Sequence, residues 1–413
     1  MSRIAPTIDP AAIRMAFPSI RHGRVFLDNP GGTQVHQSVY DAVADYYRDA
    51  NANLGGPFAT SVASDRMLDE ARAEAAAFLG ASPAEIVFGA NMTTLTMHAS
   101  RILCRGLGPG DEILVTGLDH DANVAPWMLA ASDRGVTVRQ AGIDTESCLV
   151  DVDDFAGKLT GRTRIAAFGW ASNGAGTVND VARLSALCRE AGAISYIDAV
   201  HYAPHGAIDV AAVGCDFLVC SAYKFFGPHV GVLYGRHELL ERHRPYKVRP
   251  APDEAPHSWE TGTINLEGIA GTTAAMRYLR SLGMDNIAVY ERDLAARLLE
   301  GLDAIAGLTV YGTRDLGHRC PTVAFTVAGK HPADVSRALA ERDIFVWDGN
   351  YYALELMQRL GLQETGGAVR VGAVHYNTVE EIDAFLEAVA RLALASRPPA
   401  APTPPSPARS AAG

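Results

Sequence analysis

Two short stretches of this chain set a carboxylate and an amine where chemistry could use them. Asp198 closes the strand-like run Ala193-Ile194-Ser195-Tyr196-Ile197. Lys224 stands in Ser221-Ala222-Tyr223-Lys224-Phe225-Phe226-Gly227-Pro228, just after the apolar Phe217-Leu218-Val219-Cys220. A lysine at the end of a buried strand is costly unless its amine has work to do. A strand ending in Asp, followed by one ending in Ser-x-x-Lys, meets the needs of a pyridoxal phosphate (PLP) site. The lysine forms the Schiff base, and the carboxylate keeps a proton on the pyridine nitrogen so that the ring draws electrons.

Other polar clusters fall at similar points. Asn91-Met92-Thr93-Thr94 follows one strand and opens a helix, where hydroxyls and free backbone N–H groups suit a phosphate. Leu118-Asp119-His120-Asp121-Ala122-Asn123 follows the next strand and offers His120 as a flat ring to stack on a cofactor. Ala171-Ser172-Asn173-Gly174-Ala175-Gly176 follows the third, ahead of Asp198 and Lys224. Thr93, Thr94 and Asp198 each have a rival reading as helix caps, and the cofactor roles are favoured over it. Five successive strand ends carrying suitable groups point to one ligand, because open α/β sheets bind at the carboxyl ends of their strands.

The elements that must position these groups alternate from about residue 85 to 235. Candidate strands are Glu85-Ile86-Val87-Phe88, Glu112-Ile113-Leu114-Val115, Arg164-Ile165-Ala166-Ala167-Phe168, 193–197, 217–220 and Val230-Gly231-Val232-Leu233-Tyr234. Apolar strands separated by helices imply βαβ units and a mostly parallel, two-side-covered sheet. Ser64 is placed to cap a helix carrying Leu68, Ala71, Ala75, Phe78 and Leu79, with Gly80 as its stop. A helical region over 265–302, strands at 322–325, 344–346 and 368–371, and a helix over 379–395 suggest a smaller α+β domain. From Ser396 the chain turns to Pro, Ala and Ser, the composition of a disordered tail.

With 413 residues, 48% hydrophobic and 20% charged, the chain can bury sizeable cores. A net charge of -11 argues against nucleic-acid or anionic-membrane partners. The cysteines, Cys104, Cys148, Cys188, Cys215, Cys220 and Cys320, form no C-x-x-C pair and read as reduced cytoplasmic thiols. No signal segment or long apolar run points to export or a membrane. His201 and His205 stand four apart, but the proline between them spoils a helical metal pair, and no metal site is expected.

Over roughly residues 25 to 390 these motifs resemble the class V aminotransferase family, and within it the cysteine desulfurase-like enzymes. Phe26-Leu27-Asp28-Asn29-Pro30-Gly31-Gly32 is similar to that family's N-terminal active-site strand and turn, which puts Asn29 at the substrate. Asn51-Ala52-Asn53-Leu54-Gly55-Gly56-Pro57-Phe58 occupies the place of its next active-site loop. The resemblance makes Lys224 the Schiff-base lysine, Asp198 the pyridinium partner and His120 the stacking ring, the three catalytic candidates. It puts Thr93, Thr94, Ser221 and Tyr223 at the phosphate and Asn173 beside the ring hydroxyl or the substrate. His201 stands where relatives carry a glutamine to the ring oxygen. Thr263, in Trp259-Glu260-Thr261-Gly262-Thr263-Ile264-Asn265, matches a residue reaching the phosphate from a partner subunit. Arg370, in Val369-Arg370-Val371-Gly372, matches the arginine that forks onto a substrate carboxylate.

Two departures stand out. Tyr223 replaces the histidine usual before the lysine. In Trp347-Asp348-Gly349-Asn350-Tyr351-Tyr352-Ala353-Leu354, Tyr352 takes the place of the sulfur-accepting cysteine of the desulfurases, and the loop holds no other thiol. Persulfide formation needs a thiolate within reach of the substrate sulfur.

The resemblance implies PLP fold type I: a large α/β domain with a mostly parallel seven-stranded sheet and a small α+β domain. It divides the chain into an N-terminal segment 1–24 on the small-domain side, a PLP-binding domain 25–265, connecting helices and small domain 266–395, and the tail 396–413. It implies a homodimer with shared sites, acting on a small amino acid. Freed Lys224 would take the Cα proton; elimination, desulfuration and transamination stay open, as does a PLP-binding partner in sulfur trafficking.

Overall fold

A computed structural model describes residues 8–394. The tail 396–413 lies outside the described residues. Seven strands form the large sheet: β1 (Ile86–Gly89), β2 (Glu112–Thr116), β3 (Thr137–Ala141), β4 (Thr163–Gly169), β5 (Ile194–Asp198), β6 (Phe217–Ser221) and β7 (Gly231–Gly235). They lie in the order β1-β7-β6-β5-β4-β2-β3. β7 runs antiparallel to β1 and β6, and the remaining pairs are parallel.

Strands β2 and β6 are buried along their full length, as a sheet covered on both faces requires. The six apolar runs named above are six of these strands. The seventh, β3, reads Thr-Val-Arg-Gln-Ala and is half-exposed at the sheet edge. Its side chains are only partly covered, so it lacks the apolar run that marks the buried strands, including β1 at the opposite edge.

The second sheet contains β8 (Leu308–Tyr311), β9 (Thr322–Val327), β10 (Trp347–Gly349) and β11 (Ala368–Gly372). It is antiparallel, in the order β8-β9-β11-β10. The start of the chain is built onto this region. Val25–Phe26 pairs in parallel with Ile344–Phe345, and Asp28 bridges to Gly372.

Helix boundaries differ from the sequence reading in two places. The helix expected from Ser64 begins at Ala59 and runs to Leu79. Ser64 lies buried within it, its hydroxyl donating to the carbonyls of Ala50 at 2.7 Å and Ala52 at 3.0 Å. It therefore holds the preceding loop and caps nothing. The region 265–302 splits at Gly283, whose φ of 82° is unfavourable for other residues, into helices Leu266–Leu282 and Met284–Asp303. Among the described residues no helix is long and apolar enough to cross a membrane.

One buried ion pair fixes the end of β1. Arg72 meets Glu260 at 2.7 Å, both side chains 6% exposed. Arg72 also donates to the Ile86 carbonyl, and the Phe88 amide donates to Glu260. Removing one partner strands the other charge in the interior. Arg72→Ala is expected to cost about 3–5 kcal/mol of folding stability, measured by urea unfolding. A change below about 1 kcal/mol would show the pair to be dispensable.

Candidate active site

The parallel register sets the site. Gly169 of β4 lies beside Asp198 of β5, which lies beside Val219 of β6. The three strand ends therefore deliver Asn173, Asp198 and Lys224 to one edge. They open on a cavity of about 600 Å³ lined by Thr93, Thr94, His120, Asn173, Asp198, His201, Ser221, Tyr223 and Lys224. All nine were singled out from the sequence.

At one end of the cavity is the N-terminus of the helix Met92–Leu103, capped by Asn91, whose carboxamide accepts from the Thr94 amide at 2.9 Å. Thr93 and Thr94 are exposed there, and Ser221 accepts from the Met92 amide at 2.8 Å. Hydroxyls and a helix N-terminus make a fit for a phosphate. Tyr223 lies flat on His229, ring centroids 5.1 Å apart.

Deeper in, Asp198 is buried, with one carboxylate oxygen accepting from the Val200 amide at 2.8 Å. Burial raises its proton affinity, against that amide bond and the field of Lys224. A protonated ring nitrogen would supply the close cation that such a carboxylate lacks. Lys224 is buried in the turn Ala222–Lys224 that follows β6. Burial, seconded by Arg370, drives its amine toward the neutral form, while Asp198 opposes them. Burial, Lys224 and Arg370 bring His120 down to about 4, so its ring is neutral and suited to stacking. His201 is likewise held neutral, by burial first and then by His205. His201 Nε2 and Asn173 Oδ1 are buried with no hydrogen-bond partner among the described residues. Such orphaned polar atoms on a cavity wall call for a ligand, and these residues fit PLP.

A second cavity of about 520 Å³ adjoins the first, sharing His120, Asn173, Tyr223 and Lys224 and adding Arg370 and Tyr352. Arg370 is buried, donates to the Asn173 carbonyl at 2.7 Å and lies 4.2 Å over the Tyr351 ring. Its Nε has no partner, and no carboxylate lies within ion-pair distance among the described residues. Burial lowers its pKa to about 10. With Asp28 acting on it only through its field, the buried guanidinium suits a substrate carboxylate.

Tyr351 and Tyr352 both take left-handed backbone angles, with φ of 55° and 57°. Such residues cost about 1–3 kcal/mol each and persist where their surroundings over-determine them. Asn173 donates to the Tyr351 carbonyl at 2.8 Å, and the Asp121 amide to that of Tyr352 at 2.7 Å. The Tyr352 ring stacks on His120 at 5.4 Å.

Two expected residues lie elsewhere. Asn29 lines neither cavity: its amide donates to Phe26, Gly372 and Asn377 and accepts from the Tyr376 hydroxyl. Its neighbours Pro30 and Gly31 form the wall instead. Thr263 opens on a separate cavity with Thr94 and Trp259.

The sequence reading passed over Asp119, His229 and Trp347. Asp119 is buried on the cofactor side, and burial, then Asp198, raises the proton affinity of its carboxyl. It stood in the cluster that supplied His120, but a string of residues does not show which of two neighbours faces inward. His229 adjoined the lysine motif, and Trp347 stood in the Tyr352 loop.

Fold and site together define a PLP-dependent enzyme of fold type I. The aminotransferase class-V family model matches residues 25–385, and the chain belongs to that family, so the expected fold and cofactor stand. A probable cysteine desulfurase of Mycolicibacterium paratuberculosis is 34% identical over 93% of this chain, which spans 58% of that protein's length. A probable cysteine desulfurase of a Synechocystis species is 32% identical, over 92% of this chain and 94% of its own. The solved apo cysteine desulfurase of Thermococcus onnurineus superposes with a TM-score of 0.89 at 29% identity, covering 94% of this chain and 98% of that one.

Proposed function

We propose that this chain cleaves a Cβ–S bond of a small amino acid without storing sulfur on a protein thiol. The observation that carries this reading is the placement of the thiols. All six cysteines are buried, and none lines either cavity. Burial pushes Cys104, Cys188 and Cys215 up to about 12, far from the thiolate that attack on sulfur demands. Tyr352 fills the loop position that the family resemblance gives to the acceptor.

The chain's own groups supply the remaining parts. Lys224 would hold the cofactor aldehyde, Asp198 the ring nitrogen, and Thr93, Thr94 and Ser221 the phosphate. Bound PLP supplies an electron sink for charge developing at Cα. Arg370 fixes the substrate carboxylate, and the neutral Nζ of Lys224 takes the Cα proton. The electron pair released at Cα expels sulfur from Cβ, and hydrolysis of the product leaves pyruvate and ammonium. We also read the chain as a homodimer, because Thr263 lines a separate cavity and not the one that holds its own Lys224.

The test gives PLP-loaded protein L-cysteine and quantifies sulfide, pyruvate and alanine together. Pyruvate should match sulfide, and alanine matching sulfide would overturn the reading. Tyr352→Cys is expected to divert part of the product to alanine, with a persulfide detectable by protein mass.

A further inference from the structure

The substrate cavity is built for more than a cysteine side chain. Trp347 is 50% exposed and Tyr352 68% exposed, and both stand on the wall that carries Arg370 and Lys224. Two large rings left uncovered on one cavity mark a binding surface. A cavity of about 520 Å³ is of the size that encloses ligands well beyond a small amino acid.

The position of Trp347 is fixed by register. β10 and β11 pair Trp347 directly with Arg370. Directly opposed residues put their side chains on the same face of the sheet, Cβ atoms roughly 5 Å apart. A substrate whose carboxylate sits on Arg370 therefore extends beside the indole. Gly31 reserves the space: a Cβ there would collide with Trp347 Nε1. Tyr352, on the same cavity, is held against His120 by its stacked ring.

We propose that the substrate is an L-cysteine S-conjugate, a thioether whose sulfur carries a flat aryl or heteroaryl group received by Trp347 and Tyr352. The proposal rests on the cleavage reading above and names its substrate class. It also accounts for the missing thiol. In a thioether the sulfur already has its second substituent and departs with it. The Cα–H bond breaks and its proton goes to Lys224. The Cβ–S bond then breaks with its electron pair going to sulfur, which takes up a proton and leaves as a free thiol. The enamine left behind hydrolyses to pyruvate and ammonium. Water is the only co-reactant, and nothing is oxidised or reduced.

The experiment compares S-phenyl-L-cysteine, S-methyl-L-cysteine and L-cysteine on the PLP-loaded full chain, measuring pyruvate and released thiol. S-phenyl-L-cysteine is expected to exceed the S-methyl compound in kcat/KM by about 30-fold or more, the worth of covering one ring. Trp347→Ala should collapse that ratio, and Trp347→Phe should largely restore it. A second readout does not depend on turnover. Trp127, Trp170 and Trp259 are buried, so S-phenyl-L-cysteine should quench tryptophan fluorescence in the parent and not in Trp347→Phe. Equal efficiency for the phenyl and methyl compounds, or a ratio indifferent to Trp347→Ala, overturns the substrate class while cleavage stands. No pyruvate from any of the three overturns the cleavage reading and the conjugate with it. Quenching that persists in that case identifies an aryl amino acid bound for other chemistry.

Discussion

Lys224→Ala is expected to lower kcat by about 10⁴-fold, the upper range for removing a positioned acid–base group. It should also abolish retention of the cofactor after borohydride reduction, since no second amine lines the cavity. The loss would not come from unfolding. Lys224 is buried and makes no ion pair among the described residues, so alanine removes a desolvated amine, and Asp198 loses its field but no hydrogen bond. The melting temperature should be unchanged or higher. Partial recovery of activity by a small exogenous amine would separate the proton-transfer role from a packing role. Activity within tenfold of the parent would remove Lys224 from the centre of the mechanism.

Arg370→Ala should cost about 10³-fold in kcat/KM, equivalent to two charge-assisted hydrogen bonds at about 2 kcal/mol each. Most of the loss should fall on KM. Arg370→Lys should restore little, because an ammonium cannot reproduce the planar fork. A second effect reaches Lys224, whose amine Arg370 helps to hold neutral. Without that positive neighbour the folded-state pKa of the amine rises. The neutral base then dominates only at higher pH, so the acid limb of the kcat profile should move upward. An unmoved limb would mean that the two charges do not communicate, and a loss below tenfold would send the carboxylate elsewhere.

Much of this site was legible because catalytic groups at strand ends are announced by the strands themselves. Asp198 and Lys224 each follow a run buried on both faces, and such runs are visible as apolar sequence. What escaped was whatever depends on long-range register or on the direction of a side chain. Trp347 gains its meaning from lying opposite Arg370, a pairing between strands that local composition does not report. The edge strand β3 carries no apolar run because its side chains are only partly covered, unlike those of β1 at the other edge. Asn29 was placed at the substrate by its motif, yet its amide is committed to Phe26, Gly372, Asn377 and Tyr376. A motif supplies the neighbourhood, and hydrogen bonding decides which atoms are spare.

That commitment of Asn29 has a consequence for synthesis on the ribosome. The whole large sheet is encoded between residues 86 and 235, so it can assemble while the rest of the chain is still being made. The partners of Asn29 lie 343 and 348 residues downstream. Until they emerge, the N-terminal turn and Arg370 have no fixed relation. A nascent chain thus reaches a stage with Asp198 and Lys224 in place but no anchor for a substrate carboxylate. The order of translation makes the cofactor half of the pocket first and the half that admits amino acids last.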